Sequence, residues 1–387
     1  MKRFSTILSA CVAILAVASC VKEEKMEIQK VPLPGSEEET NADYYAALRE
    51  YKESDHILSY VYMGRYATLE GAENLYVEYN TMEHRFLALP DSLDIVNLWM
   101  GAPTDMEHSD YCWYSDGKAD YQYDYSPYAY ADMQYCRRVK GTKFVLHADA
   151  SHYGQQFDLI DDKLDAEGNP VLDENGKVVR DTVHYTVSRN GKASHEAYAE
   201  FLYRKVVAYN IDGLDFDYEG WGATQINNVT NYLSKKMGPK AEDEAGQKLL
   251  LIVDYFGGVP PEESIANCNY IINQAYSVQT GLSSNGQLAN GHPDKWILCE
   301  QWEQGSPLNY TQGGKRWSNP SQNEFGEDLY SMEAYALFAK SGGAKGFGAY
   351  YIDNDYKQSV KTARGTFPTY GYLRNAIQAA NPKQVEE

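Results

Sequence analysis

Basic side chains are scarce in this chain. Its 387 residues hold 35 Lys and Arg against 55 Asp and Glu, a net charge of −20. Such a surface repels phosphate, which excludes a nucleic-acid partner and electrostatic attachment to anionic lipid. Cysteine is sparse too. Beyond residue 20 there are Cys112, Cys136, Cys268 and Cys299, and no two of them have metal-site spacing. Cys268 and Cys299 sit in or near apolar runs and read as free buried thiols. A Cys112–Cys136 disulfide in an oxidising compartment stays open. No Gly-rich phosphate loop follows the first strand, which argues against an open nucleotide-binding sheet. Phenylalanine is outnumbered by tyrosine, 11 to 34. Tyrosine's flat ring with a hydroxyl suits ligands having apolar faces and polar edges. Its densest cluster, Tyr111 to Tyr135, reads equally as such a surface or as an extended loop.

The apolar run Ile7–Val17 is too short to span a membrane comfortably and follows the basic start Met1-Lys2-Arg3. It reads as a secretory signal. Val17-Ala18-Ser19-Cys20 resembles a bacterial lipobox, and Val21-Lys22-Glu23-Glu24 resembles the export tag of surface lipoproteins of the Bacteroidetes. An ordinary cleavage site beside a chance cysteine is the plainer alternative. Residues 1–19 are thus the expected signal, with Cys20 lipidated and residues 20–45 a flexible tether. A (β/α)8 domain is expected over 46–387. Losing Lys2 and Arg3 leaves a charge of −22. The lipid implies an outer-membrane anchor with the protein facing the cell surface. A monomer is expected.

Eight apolar runs read as strands: 56–63, 93–100, 142–148, 213–219, 249–255, 270–276, 295–302 and 346–351. Helical patterns lie between several of them, at 194–209, 226–237 and 326–339, with a last one at 369–380. Nearly continuous apolar runs fit parallel strands covered on both faces. Eight of them alternating with helices predict an α/β fold, a single (β/α)8 barrel. The stretch between the third and fourth strands, with Asn175-Gly176 near its middle, predicts an inserted β-hairpin.

The fourth strand holds the densest chemistry. Asp212-Gly213-Leu214-Asp215-Phe216-Asp217-Tyr218-Glu219 packs four carboxylates into eight residues. Strand alternation puts Asp215, Asp217 and Glu219 on one face and Leu214, Phe216 and Tyr218 on the other. Carboxylates in such a row raise one another's pKa, so a proton donor stands beside a charged stabiliser. That pairing suits acid-assisted cleavage of a glycosidic bond. A calcium loop or a solvated edge strand is the bland alternative. A calcium loop would want turn residues where Leu, Phe and Tyr stand.

The stretch resembles the DGxDxDxE motif of family 18 glycoside hydrolases. Gln274-Ala275-Tyr276, ending the sixth strand, resembles the Q-x-Y of that family's endo-β-N-acetylglucosaminidases. The resemblance implies a barrel with its site at the carboxyl ends of the strands, and no cofactor or metal. It makes Glu219 the general acid, Asp217 the stabiliser of an oxazolinium formed by the substrate's own acetamido group, and Asp215 its proton-sharing partner. Gln274 and Tyr276 would hold the acetamido oxygen. The implied substrate is the GlcNAc-β1,4-GlcNAc core of N-linked glycans on glycoproteins. A chitinase-like hydrolase and a non-catalytic glycan-binding lipoprotein are the alternatives. Tyr350 or Tyr351 stands where chitinases of the family place tryptophan, and the interval between the seventh and eighth strands is too short for the module many of them insert. Asp212, Trp302, His147 and Asp149 join these tyrosines as pocket candidates. The family's Ser-x-Gly-Gly is missing at the third strand. His147 and His152 there read as polar lining rather than metal ligands.

Overall fold

The computed structural model describes residues 41–64, 66, 85–105, 126–148, 154, 156–188, 190–276, 278–282, 291–302, 313–356 and 358–382. The strands are β1 (Leu58–Tyr62), β2 (Ile95–Leu98), β3 (Lys143–Ala148), β4 (Gln156–Asp162), β5 (Arg180–Thr186), β6 (Gly213–Asp217), β7 (Leu250–Tyr255), β8 (Tyr270–Gln274), β9 (Trp296–Gln301), β10 (Gly346–Tyr350), β11 (Val360–Thr362) and β12 (Gly365–Phe367). Eight of them close a parallel barrel in the order β1-β10-β9-β8-β7-β6-β3-β2. This is the predicted (β/α)8 barrel, and its strands lie within the eight apolar runs.

The period of two divides the buried residues into two cores. One set, including Val96, Phe144, Leu146, Leu214, Phe216, Leu251, Val253 and Phe347, packs outward under the helices. The other, including Tyr60, Tyr62, Ile95, Val145, Ile252, Ile272, Ile297 and Cys299, fills the barrel. The helices are α1 (Ala42–Glu53), α2 (Pro127–Tyr135), α3 (Lys192–Ala208), α4 (Ala223–Leu233), α5 (Glu244–Gln247), α6 (Glu262–Asn267), α7 (Ser331–Lys340) and α8 (Gly371–Ala380). Helix α1 begins inside the stretch read as tether. The amide of Asn381, just past α8, bonds both N–H and C=O of Ile57 at 3.1 and 2.7 Å, tying the chain's end to its first strand.

The inserted hairpin is β4 against β5, in antiparallel register from Gln156↔Thr186 to Asp162↔Arg180. Beyond it the chain makes two successive turns. Asp165 Oδ1 accepts from the N–H groups of Glu167 and Asn169, and Asp173 Oδ1 from those of Asn175 and Lys177. The described part of the tyrosine cluster, residues 126–135, is helical rather than loop, because α2 carries Tyr135 into the core beside Tyr45 and Val139. Cys136 is a free buried thiol whose S–H donates to the Phe86 carbonyl at 3.3 Å. Burial pushes its pKa up to about 11. Cys112 lies outside the described residues. Cys268 and Cys299 are free and buried.

Candidate active site

Glycine at 213 lets β6 approach β7 closely, for a Cβ there would overlap the Leu250 carbonyl oxygen. The strand that follows grades its acids by depth. Asp215 is fully buried, Asp217 half-buried and Glu219 exposed. Two acids stand on the strand. Glu219 lies in the turn after it, with its backbone N–H donating to Asp217 Oδ1 at 3.1 Å. The row predicted on one strand face is therefore a descent from the barrel's mouth to its interior.

Asp215 rests among polar groups supplied by other strands. Tyr60 Oη donates to its Oδ2, as does Asn97 Nδ2 at 2.8 Å, and Tyr62 Oη reaches the same oxygen at 3.4 Å. Asn97 Nδ2 is 3.3 Å from His147 Nδ1. Burial raises the Asp215 pKa, and the neighbouring charge of His147 opposes the rise. Burial also holds the Tyr60 and Tyr62 phenols well above their ordinary value, so they stay donors.

A further buried carboxyl, Asp254, stands in register with Asp217 on the adjacent strand. Tyr62 Oη donates to it at 2.7 Å and Gln274 Nε2 at 3.1 Å. Burial raises its pKa well above the usual carboxylate range, and the charge of Asp217 and a hydrogen bond to it add to the rise. Sequence reasoning missed Asp254. Its signal was a lone acid inside the apolar strand 249–255, where a carboxylate needs a partner.

Gln274 Nε2 also lies 3.4 Å from Asp217 Oδ1, which joins the Q-x-Y to the acidic motif. Tyr276, two residues on, is half-buried. Its ring lies 6.1 Å from Tyr350 at 22° and 5.9 Å from Phe256. Tyr350 in turn meets Trp99, Tyr351 and Tyr62 with ring centroids 5.0, 4.3 and 5.8 Å away. The backbone turns left-handed at Tyr351, φ 60°, an uncommon conformation for a residue with a side chain. An aromatic wall thus flanks the acids. Trp99 and the 54%-exposed Phe256 were not foreseen. Each follows the end of its strand, where loops and sites meet in such barrels.

Two expected pocket residues lie elsewhere. Asp212 precedes β6 at the amino end of the barrel, one strand length from Asp217. There it pairs with Arg137 through two bonds of 2.7 and 2.8 Å and accepts from the Phe144 N–H. It joins α2, through the π-helical turn at 136–140, to the sheet. Trp302 is fully buried, its ring edge-on to Tyr372 at 6.1 Å, and offers no face to a sugar. Asp149, His152 and Cys20 lie outside the described residues. His147, Asp215 and Asp254 can bring one ligand atom each within 4.8 Å of the others. Both carboxyls are already bonded to Tyr, Asn or Gln donors, and burial favours their neutral forms, so the trio is poorly suited to a cation.

A family model described as the TIM-barrel domain of the endo-β-N-acetylglucosaminidase EndoS matches residues 148–349, from the end of β3 into β10. The match spans more than half of the chain. The chain belongs to this family, and it is a glycoside hydrolase. Among solved structures, the endo-β-N-acetylglucosaminidase from Cordyceps militaris in apo form is 18% identical, with a TM-score of 0.52 over 88% of this chain and 96% of that one. A doubly substituted form of that enzyme in complex with fucosyl-N-acetylglucosamine-Asn is 19% identical, with a TM-score of 0.50 over 87% and 95%. At these identities the likeness is one of fold. No curated protein matches the chain.

Proposed function

We propose that the protein is an endo-β-N-acetylglucosaminidase that hydrolyses the β1,4 bond between the two core GlcNAc residues of N-linked glycans. The observation that carries this reading is the convergence of the Asp215–Glu219 acids with Gln274 at one end of the barrel, beside an aromatic wall. Glu219, exposed at the mouth, protonates the glycosidic oxygen. The substrate's own acetamido carbonyl attacks the anomeric carbon as the glycosidic bond breaks, giving an oxazolinium. Asp217 accepts from the acetamido N–H and stabilises the positive charge. Tyr276 and Gln274 hold the acetamido oxygen in line, which lowers the entropic part of the barrier. Water then attacks the anomeric carbon from the vacated side, giving its proton to Glu219, and the configuration is retained. The substrate class is supported by the aligned fungal enzyme, whose ligand is a fucosyl-N-acetylglucosamine-Asn.

The test is mass spectrometry of what the purified protein releases from a panel of N-glycoproteins. The expected result is free glycans ending in one GlcNAc, with the other GlcNAc left on asparagine. Cleavage of chito-oligosaccharides alone would point to a chitinase. Binding without cleavage would point to a glycan receptor. Glu219→Gln should lower turnover by about 10³-fold while glycan binding survives, since a positioned acid contributes roughly 10²–10⁴.

For location, we propose a lipid at Cys20 that holds the enzyme on the outer membrane facing outward. Among the described residues no helix is long and apolar enough to cross a membrane. Cys20→Ser should release the protein from the membrane fraction. Retention of that variant would sink the proposal.

A further inference from the structure

Asp254 takes no part in the mechanism above, yet it is fully buried and level with Asp217 across two adjacent strands. Neighbouring strands run about 4.8 Å apart, and the Gln274 amide nitrogen reaches both carboxyls, at 3.1 Å for Asp254 Oδ1 and 3.4 Å for Asp217 Oδ1, so the two acids are close enough that ionising one opposes ionising the other. The groups facing Asp254 come from five strands. They are Tyr60 and Tyr62 on β1, His147 on β3, Asp215 and Asp217 on β6, Gln274 with Tyr276 at the end of β8, and Cys299 on β9. Of these only His147 is basic, and a nitrogen of its ring lies within 4.8 Å of a carboxyl oxygen of both Asp215 and Asp254. The phenols and the thiol are held neutral by burial. Tyr62 and Gln274 each donate to one Asp254 oxygen. Asp217 Oδ1 already takes bonds from the Glu219 N–H and the Gln274 amide.

We propose that Asp254 is a resident neutral acid that donates a hydrogen bond to Asp217, acting as a positioning residue for the hydrolytic step. The inference rests on the function proposed above. A proton shared by the two carboxyls belongs on the one that water does not reach, which leaves the negative charge on half-buried Asp217, where the substrate's acetamido group would arrive. The hydrogen bond also fixes the rotamer of Asp217, and Gln274, bonded to both carboxyls, ties them to the Q-x-Y. The family resemblance assigns the proton-sharing role to Asp215. On this proposal that role falls to Asp254, which meets Asp217 directly, while Asp215 is bonded to Tyr60 and Asn97.

The experiment has two arms. In the first, the protein is labelled with ¹³C at the aspartate carboxyl carbons and its NMR spectrum followed with pH. A carboxylic-acid resonance that persists at neutral pH and is lost in Asp254→Asn is expected. An Asp254 signal that titrates in the ordinary carboxylate range overturns the proposal. This arm needs no substrate, so it decides the matter even if no glycan is released and the functional reading fails. In the second arm, Asp254→Leu should lower kcat by about 50-fold with KM nearly unchanged, the range of a lost hydrogen bond to a charged group. Asp254→Asn, which keeps a donor toward Asp217, should restore most of that loss. A kcat for Asn as low as that for Leu would mean that Asp254 works as an anion, and the proposal would fall.

Discussion

Asp217 holds an unusual position among the site's residues, because three groups meet at its carboxyl and two of them, Gln274 and Asp254, are bonded to each other. The Glu219 N–H, Gln274 and Asp254 all converge on its carboxyl. On the mechanism proposed above, in which Asp217 stabilises the oxazolinium, Asp217→Asn should lower turnover by about 10²-fold. Full activity in that variant would contradict the substrate-assisted scheme. Phe256 should act differently, as an exposed ring at the cleft edge. Phe256→Ala is expected to raise KM about fivefold with kcat little changed, as for loss of one aromatic contact. Equal kinetics in the two forms would remove Phe256 from the cleft.

The buried acids also tie stability to pH. Asp254 is held well above its ordinary value of 3.8 by burial and by Asp217. Below about pH 4 it is protonated in both folded and unfolded chains, and the neutral form is tolerated in the barrel. As pH rises past about 4 the unfolded chain releases the proton while the folded chain keeps it, so its contribution to stability is lost up to the folded pKa. Asp254→Asn removes that dependence. The Tm of the wild type relative to the variant should fall as the pH is raised from about 4 to about 8. A constant difference would show Asp254 already ionised in the fold.

Among the elements, β6 is the one on which structure and chemistry meet. Its amino end is fixed by the Arg137–Asp212 pair and by the close approach to β7 at Gly213, and its carboxyl end presents the acids. Gly213→Ala forces a methyl group into the backbone of β7 and should destabilise the fold by about 1–3 kcal/mol. Thermal unfolding would measure it, and an unchanged Tm would refute the packing argument. The acids and Gln274 of this end were legible in the sequence, because each stands at a fixed interval from an apolar run that sets its face. Of the ring of groups about Asp215, only His147 was. Tyr60, Tyr62, Asn97 and His147 come from β1, β2 and β3, and nothing local in those runs says which carboxyl they will meet. Asp212 was misassigned for a related reason, since the motif's first acid falls before the strand and so at the opposite end of the barrel.

Taken as a whole, the barrel is tied at its amino end by side-chain bonds. At the amino end, Lys52 bonds the Leu93 carbonyl at 2.6 Å and Thr142 Oγ1 at 2.8 Å, while the Asn381 amide holds β1. Burial brings the Lys52 pKa down to about 8. The hairpin stands apart from this frame. Phe157 and Tyr185 pack its base against α3, but residues 163–179 beyond it are almost all exposed, with Leu164 and Leu172 at 56% and 58%. Replacing 163–179 by a two-residue turn should therefore leave the Tm within about 2 °C, because almost no apolar area is lost from the core. A larger drop would mean that the tip braces the barrel.

Local order along the chain determined the eight strands, the acidic motif, the Q-x-Y and the hairpin, because strand period, apolar runs and turn residues act between near neighbours. Only the closed barrel decided that Asp254 would stand beside Asp217, that Trp99 and Phe256 would join the tyrosine wall, and that Trp302 would be buried. Those outcomes depend on which strands become neighbours, in what register and at which end. Such relations are set by packing between residues up to several hundred positions apart, and no single stretch of sequence contains them.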